Sequence, residues 1–297
     1  MADKPELVII IGPTAAGKSA RAMDMAPRLG GEIISADSRH VYKRMDIGTN
    51  KPSPQERQAV PHHLIDIREP HESFSLGEYV ALARAAIKDV QIRGKVPLLV
   101  GGTGQYVRAV LEGWQVPQVP PHPAVRERWL AFTTEHGCAA LWGELLSRDP
   151  AAEETIDPRN VRRVVRALEV MEVTGRRWSE LQRRAPLDRA QVQIIYVNLP
   201  RDELYIRADA RLQRMVEQGW LEEVRALLDE LAGHGMRAET ATRLPSMSSL
   251  GYREMAAVAR GEITLDEAIT RIKRETRRFI RAQDTWFRRI AAMADAG

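Results

Sequence analysis

The chain has one cysteine in 297 residues, Cys138, so it can close no internal disulfide and build no cysteine-rich zinc site. No nucleophile motif surrounds Cys138, which is expected to be a buried packing residue. Long apolar runs are missing too. None approaches the roughly 20 residues that cross a bilayer, and the opening "MADKPE" lacks the apolar centre of a signal peptide. The expectation is a globular cytoplasmic protein with no membrane partner, and 44% apolar residues suffice for one large core or two modest ones. No long coiled coil or evident apolar patch asks for a second copy, which points to a monomer.

An excess of charge of one sign is also lacking overall, since the net charge is only +4. Its distribution is uneven. Residues 157–184 hold eight Arg against four acids, and residues 271–289 hold eight Lys or Arg against two. Positive clusters on an otherwise acidic body are the footprint of a polyanion partner.

Short apolar runs at 6–12, 31–37, 62–67 and 96–102 end in Gly, Ser or Asp and alternate with helix-like segments, predicting an α/β fold with a parallel sheet. After residue 114 the Pro-rich "WQVPQVPPHPAV" begins a stretch with helical periodicity and no strand as far as about residue 190. The expected organisation is therefore a core assembled from residues 1–115 and 191–297 around a helical insertion at 116–190. The closing segment of that core should supply a single strand and then helices. Within the insertion, Asp157 as N-cap and Pro158 at the first helical position predict a helix start. Val161, Val164, Val165, Leu168 and Met171 form its apolar stripe, leaving Arg159, Arg162, Arg163 and Arg166 along another side. In the last segment Ile272, Phe279 and Trp286 recur every seven residues as a packing face, with Arg274, Arg277, Arg281 and Arg288 opposite.

The stretch Gly12, Pro13, Thr14, Ala15, Ala16, Gly17, Lys18, Ser19 fits G-x-x-x-x-G-K-[ST] at every fixed position, with a strand before it and a helix after. Gly12 and Gly17 let backbone N–H groups face a phosphate, Lys18 neutralises charge, and the Ser19 hydroxyl is placed for Mg2+. A kinase or nucleotide hydrolase built on this loop normally adds a strand ending in a metal-binding Asp. Here "PLLV" runs into "GGTGQY" with no acid, and the best Asp after a strand is Asp37. His62 and His63 have no third ligand at useful spacing and read as strand-end packing.

Taken together, "DSRHVYKRMDIGTNKP" (37–52), "PHHLID" (61–66), "LLVGGTGQYVRAVLEG" (98–113), "DPRNVRRVVRALEVMEVTG" (157–175), "GYREM" (251–255) and "TRRFIRAQDTWFRR" (276–289) resemble the tRNA dimethylallyltransferases, or tRNA isopentenyltransferases, over nearly the whole chain and in order. The resemblance implies a P-loop NTPase-like core that moves a dimethylallyl group from dimethylallyl diphosphate to the exocyclic amine of the adenosine 3′ of the anticodon, releasing diphosphate. The phosphate loop would then clamp a leaving group. It implies Asp37 as general base, Thr103 at the reaction centre and Arg211 on the diphosphate. It also implies tRNA contacts from Asp37, Ser38, Arg39, His40, Thr103, Arg126 and the run Arg162, Arg163, Val164, Val165, Arg166. The chain departs from the family where His40 replaces a frequent Gln and Gln105 a frequent Leu. Three other readings stand beside it: an ATP-dependent kinase, a prenyltransferase acting on free adenosine nucleotides, and a non-catalytic RNA-binding protein.

Overall fold

The computed structural model describes residues 5–115, 117, 119–187 and 191–295. The chain runs β1 (Leu7–Ile11), α1 (Lys18–Leu29), β2 (Gly31–Ser35), α2 (Pro54–Ala59), β3 (His62–His63), α3 (Leu76–Ile92), β4 (Val96–Val100) and α4 (Gly104–Leu111). It continues through β5 (Trp114–Gln115), α5 (Pro123–Arg148), α6 (Val161–Thr174), α7 (Trp178–Leu181) and β6 (Arg183–Arg184). It closes with β7 (Val192–Tyr196), α8 (Arg201–Glu217), α9 (Trp220–Gly233), α10 (Ala238–Ala241), α11 (Tyr252–Ala259) and α12 (Leu265–Asp295).

Five strands form one parallel sheet in the order β3-β2-β4-β1-β7. Every residue of β1 and β4 is buried, as expected of strands with helices on both faces of their sheet. Register aligns the carboxyl ends: Ile10 pairs with Val100, Ser35 with Val100 and Ile11 with Tyr196. The loops after β1, β2, β4 and β7 consequently open on one edge, where open parallel sheets bind ligands.

The chain divides into two compact units. One comprises the residues up to Ser75, Ala81–Leu111 and those from Leu187 onward; the other comprises Leu76–Val80 and Glu112–Pro186. In the second unit Val164, Val165, Leu168 and Met171 of α6 bury against Trp129, Leu141, Leu145 and Trp178. The break of α5 at Gly137 (φ 84°, ψ 167°) lets its two halves follow this core.

Four local expectations are corrected. Helix α6 starts at Val161, capped by the Asn160 side chain accepting from the Arg163 amide, because Asp157 is engaged earlier by the backbone and guanidinium of Arg159. The insertion does contain strand: β5 and β6 pair antiparallel, Trp114 opposite Arg184. Cys138 is exposed, lying just past the Gly137 break in a stretch turned away from the core. On α12, Ile272 is buried but Phe279 and Trp286 are 45% and 43% exposed. A seven-residue repeat drifts by about 20° per heptad on a straight helix, so the buried seam runs instead through Ile272, Thr276, Ile280, Gln283, Phe287 and Ile290. Of the opening "MADKPE", residues 1–4 lie outside the described residues, as do Val116 and Gln118 of the Pro-rich connector.

Candidate phosphate and acceptor site

The loop after β1 is shaped by backbone that few side chains tolerate. Gly12 (φ 150°) passes so near β7's end that a Cβ would stand 2.0 Å from the Val197 carbonyl oxygen. Ala15 (φ 66°) and Gly17 (φ 96°) turn left-handed, folding the loop into a concave nest of N–H groups. Helix α1 starts directly behind it with no acid in its first turn and no side-chain cap, which leaves its orphan amides and positive end facing the loop.

Two cations are held over this nest. Lys18 Nζ donates to the Pro13 carbonyl at 2.8 Å. Burial and the neighbouring Arg211 push its ammonium down to about 8, against a partial pull upward from Asp37. Arg211, on α8, donates to Thr14 Oγ1 at 2.7 Å, and burial lowers its guanidinium below the usual range, again with Asp37 opposing. Like charges pressed together in a half-buried place are unfavourable until an anion joins them. The structure thus brings Gly12 to Ser19 and Arg211 into one anion cradle. Ser19 is exposed at the mouth of a cavity of about 60 Å³ that Ser35 and His40 also line.

Asp37 and Thr103 face that cradle from the ends of β2 and β4. Asp37 Oδ1 accepts from the Arg39 amide at 2.9 Å, an Asx turn that fixes the carboxylate, while Oδ2 accepts from none of the described residues. The Ser38 amide donates to Thr103 Oγ1 at 3.0 Å, which ties the two loops together. His40 Nε2 lies 3.2 Å from the Thr49 carbonyl and Nδ1 lies 3.1 Å from Ser35 Oγ. Since a carbonyl only accepts, Nε2 carries a proton in that contact. Arg39 donates to the Pro245 carbonyl. His63 sits 2.7 Å from the buried Glu32 and His62 2.7 Å from the Val60 carbonyl, so both serve the β3 edge.

Within the second unit, Glu169 was not foreseen from the sequence. Fully buried, it receives Arg126 at 2.9 Å, Arg166 at 2.6 Å and the His122 amide at 2.6 Å. Burial would raise its carboxyl, but Arg166, the His122 amide and Arg126 outweigh that and hold it below the ordinary range. Arg126 and Arg166 thus share the single negative charge of Glu169, which leaves that cluster one net positive charge, whereas Arg162 is exposed with no acid within ion-pair distance among the described residues. Arg163 is half-buried, and Val164 and Val165 are 1% and 4% exposed, so those two side chains belong to the core. On α12 the expected free arginines are engaged: Arg277 with Asp209 at 3.0 Å, Arg288 with Asp284 at 3.1 Å, and Arg281 with the Tyr205 hydroxyl at 3.3 Å.

Known proteins resemble this chain in sequence and fold. The chain is 51% identical over 284 residues to the tRNA dimethylallyltransferase of Roseiflexus sp. (strain RS-1), covering 96% of this chain and 90% of that one. It is 50% identical over 285 residues to the tRNA dimethylallyltransferase of Chloroflexus aggregans, covering 96% and 93%. Among solved structures, the tRNA isopentenylpyrophosphate transferase of Bacillus halodurans matches with a TM-score of 0.66 and 40% identity over 96% of this chain and 87% of that one. A eukaryotic dimethylallyltransferase acting on tRNA matches with a TM-score of 0.77 and 26% identity over 94% and 69%. The family described as IPP transferase matches residues 40–290, from the loop after β2 through the seam of α12, and to that family this chain belongs.

Proposed function

We infer that this protein transfers a dimethylallyl group from dimethylallyl diphosphate to the exocyclic amine of the adenosine 3′-adjacent to the anticodon in tRNA. The observation that carries the reading is the pair Lys18 and Arg211 crowded over the loop, with Asp37 as the countercharge beside them. A diphosphate relieves that crowding most when it bears the most charge, which is at the moment of departure. The amine nitrogen attacks the allylic carbon, the carbon–oxygen bond breaks with its electrons going to the diphosphate, and the proton lost from nitrogen passes to Asp37 Oδ2. Thr103 Oγ1 orients the bridging oxygen. Its proton is available because the bond it gives Ser38 Oγ is a long 3.3 Å.

The cation is Mg2+. Among the described residues no group of three His, Cys, Asp or Glu could hold a metal. The Ser19 hydroxyl alone suits Mg2+, which keeps waters and binds mainly through substrate phosphates. When bound, the ion neutralises leaving-group charge; the residues above do the positioning. The enzyme works as a cytoplasmic monomer. Among the described residues no helix is long and apolar enough to cross a membrane.

The test is mass analysis of nucleosides after incubation with Mg2+, dimethylallyl diphosphate and either an anticodon stem-loop or AMP. Prenylated adenosine in the stem-loop is expected. Labelling of AMP alone would reject the RNA acceptor, and turnover of ATP without RNA would favour a kinase.

The tRNA is held by Asp37 to His40, Thr103, Arg126 and the Arg162 to Arg166 run, the second unit gripping the RNA backbone. Arg126 and Arg166 share the one negative charge of Glu169, so between them they add a single net positive charge to that grip. Arg162→Ala is therefore expected to weaken stem-loop binding and reduce the salt slope by about one. Arg166→Ala is expected to reduce the slope less, since Arg166 shares the charge of Glu169 with Arg126, and to lower the melting temperature, since it removes one of three groups that hold a buried carboxylate. Equal slopes for Arg162→Ala and the unaltered protein would mean Arg162 meets no phosphate.

A further inference from the structure

One buried side chain joins the diphosphate loop to the reaction-centre loop without belonging to either. Gln283 of α12 is 7% exposed. Its Oε1 accepts from the Thr14 amide at 2.8 Å, and its Nε2 donates to the Gly102 carbonyl at 2.8 Å. An amide N–H only donates and a carbonyl only accepts, so a single orientation of the Gln283 amide satisfies both bonds. No other residue type does the same at this reach: ionised Glu cannot donate, Met can do neither, and Asn is a methylene short.

The surroundings are cut to fit this bridge. Gly102 has no Cβ, and one placed there would stand 2.8 Å from Gln283 Nε2. Both ends of the bridge lead to reacting groups. Thr14 carries the hydroxyl that receives Arg211. Gly102 immediately precedes Thr103, whose hydroxyl receives the Ser38 amide beside Asp37. The bridge also engages the Thr14 N–H, so the diphosphate is left to the other amides of the nest.

We propose that Gln283 is a positioning residue that fixes the spacing between the diphosphate clamp of Thr14 and Arg211 and the reaction centre of Thr103 and Asp37. Both of its polar atoms are taken up by backbone partners. The inference rests on the donor and acceptor roles given under the proposed function. Its chemical sense is that an in-line displacement needs leaving group and nucleophile held in a narrow range of distance, and a shift near 1 Å costs on the order of 10²-fold in rate.

Two variants test it. Gln283→Met keeps the length and burial and deletes both hydrogen bonds. It is expected to lower kcat roughly 10- to 100-fold and to weaken inorganic diphosphate binding several-fold, by about one lost hydrogen bond. Stem-loop affinity should stay within about twofold. Gln283→Glu restores acceptor and donor only when the carboxyl is protonated, so its rate relative to the unaltered enzyme should climb as pH falls from about 8 to 5.5. A Gln283→Met enzyme with kcat and diphosphate affinity within twofold of the original would overturn the proposal. So would a loss shared equally by diphosphate and stem-loop binding that tracks a fall in Tm, or a Glu variant whose relative rate is flat with pH. If the unaltered protein binds diphosphate yet moves no prenyl group, the functional reading is what fails, and the diphosphate arm still decides the role of Gln283.

Discussion

Asp37→Asn is expected to slow the chemical step roughly 10²–10⁴-fold, the usual worth of a positioned general base, with stem-loop affinity held within a few-fold. Adenine's exocyclic amine is a poor nucleophile because its lone pair is delocalised into the ring. Removal of its proton as the carbon–nitrogen bond forms restores that electron pair. Asp37 is arranged for this: one carboxylate oxygen is anchored by the Arg39 amide, and the other accepts from no described residue. Asn keeps the anchoring acceptor, so the turn at 37–39 survives and the loss falls on proton removal alone. Single-turnover rates with saturating stem-loop provide the measurement. An Asn variant that turned over within about threefold of the original would remove Asp37 from the base role and leave it as the cap of a turn.

Arg211→Met is expected to weaken diphosphate binding about 10- to 100-fold, the range for hydrogen bonds to a charged partner. It should also move the pH dependence. In the ligand-free protein Lys18 is lowered to about 8 by burial first and Arg211 second. Diphosphate needs the ammonium, so above pH 8 binding must take up a proton, and the dissociation constant rises by up to about tenfold per pH unit. Without Arg211 one of the two lowering causes disappears, and this alkaline limb shifts to higher pH. Stability runs the other way: a lysine whose folded value lies below its unfolded one is a liability while charged, relieved as pH rises through about 8 toward 10.5. Calorimetric titration of diphosphate between pH 7 and 10 reads both effects. A limb that did not move in the variant would show that the two cations do not share one anion.

Much of this was legible in the sequence, and what escaped has physical reasons. Strands such as β1 and β4 were readable because buried parallel strands are continuous apolar runs. The phosphate loop was readable because its glycines, lysine and serine are each demanded by an anion. Glu169 and Gln283 were not. A polar residue inside a helix reads as a solvated position unless its partners are known, and several of theirs lie far along the chain: Arg126 is 43 residues from Glu169 and Thr14 is 269 from Gln283. The same blindness made the arginines of α12 look available. Asp209 and Tyr205 hold Arg277 and Arg281 through contacts that no periodicity announces, while Asp284 holds Arg288 from one turn earlier on the same helix. Cys138 and the seven-residue spacing failed for a different cause. Both were judged from local pattern, and a break at Gly137 and a 20° drift redirected the faces.

The order of strands has a bearing on how the protein is made. Leu7–Ile11 leaves the ribosome well before Val192–Tyr196, and one of its flanks stays open until that strand arrives to pair with it. During synthesis the nascent chain carries a wholly apolar strand with an unpaired row of amides and carbonyls, the state that invites adhesion to other chains and chaperone capture. A message truncated before codon 192 would thus yield a sticky fragment in place of a smaller working enzyme.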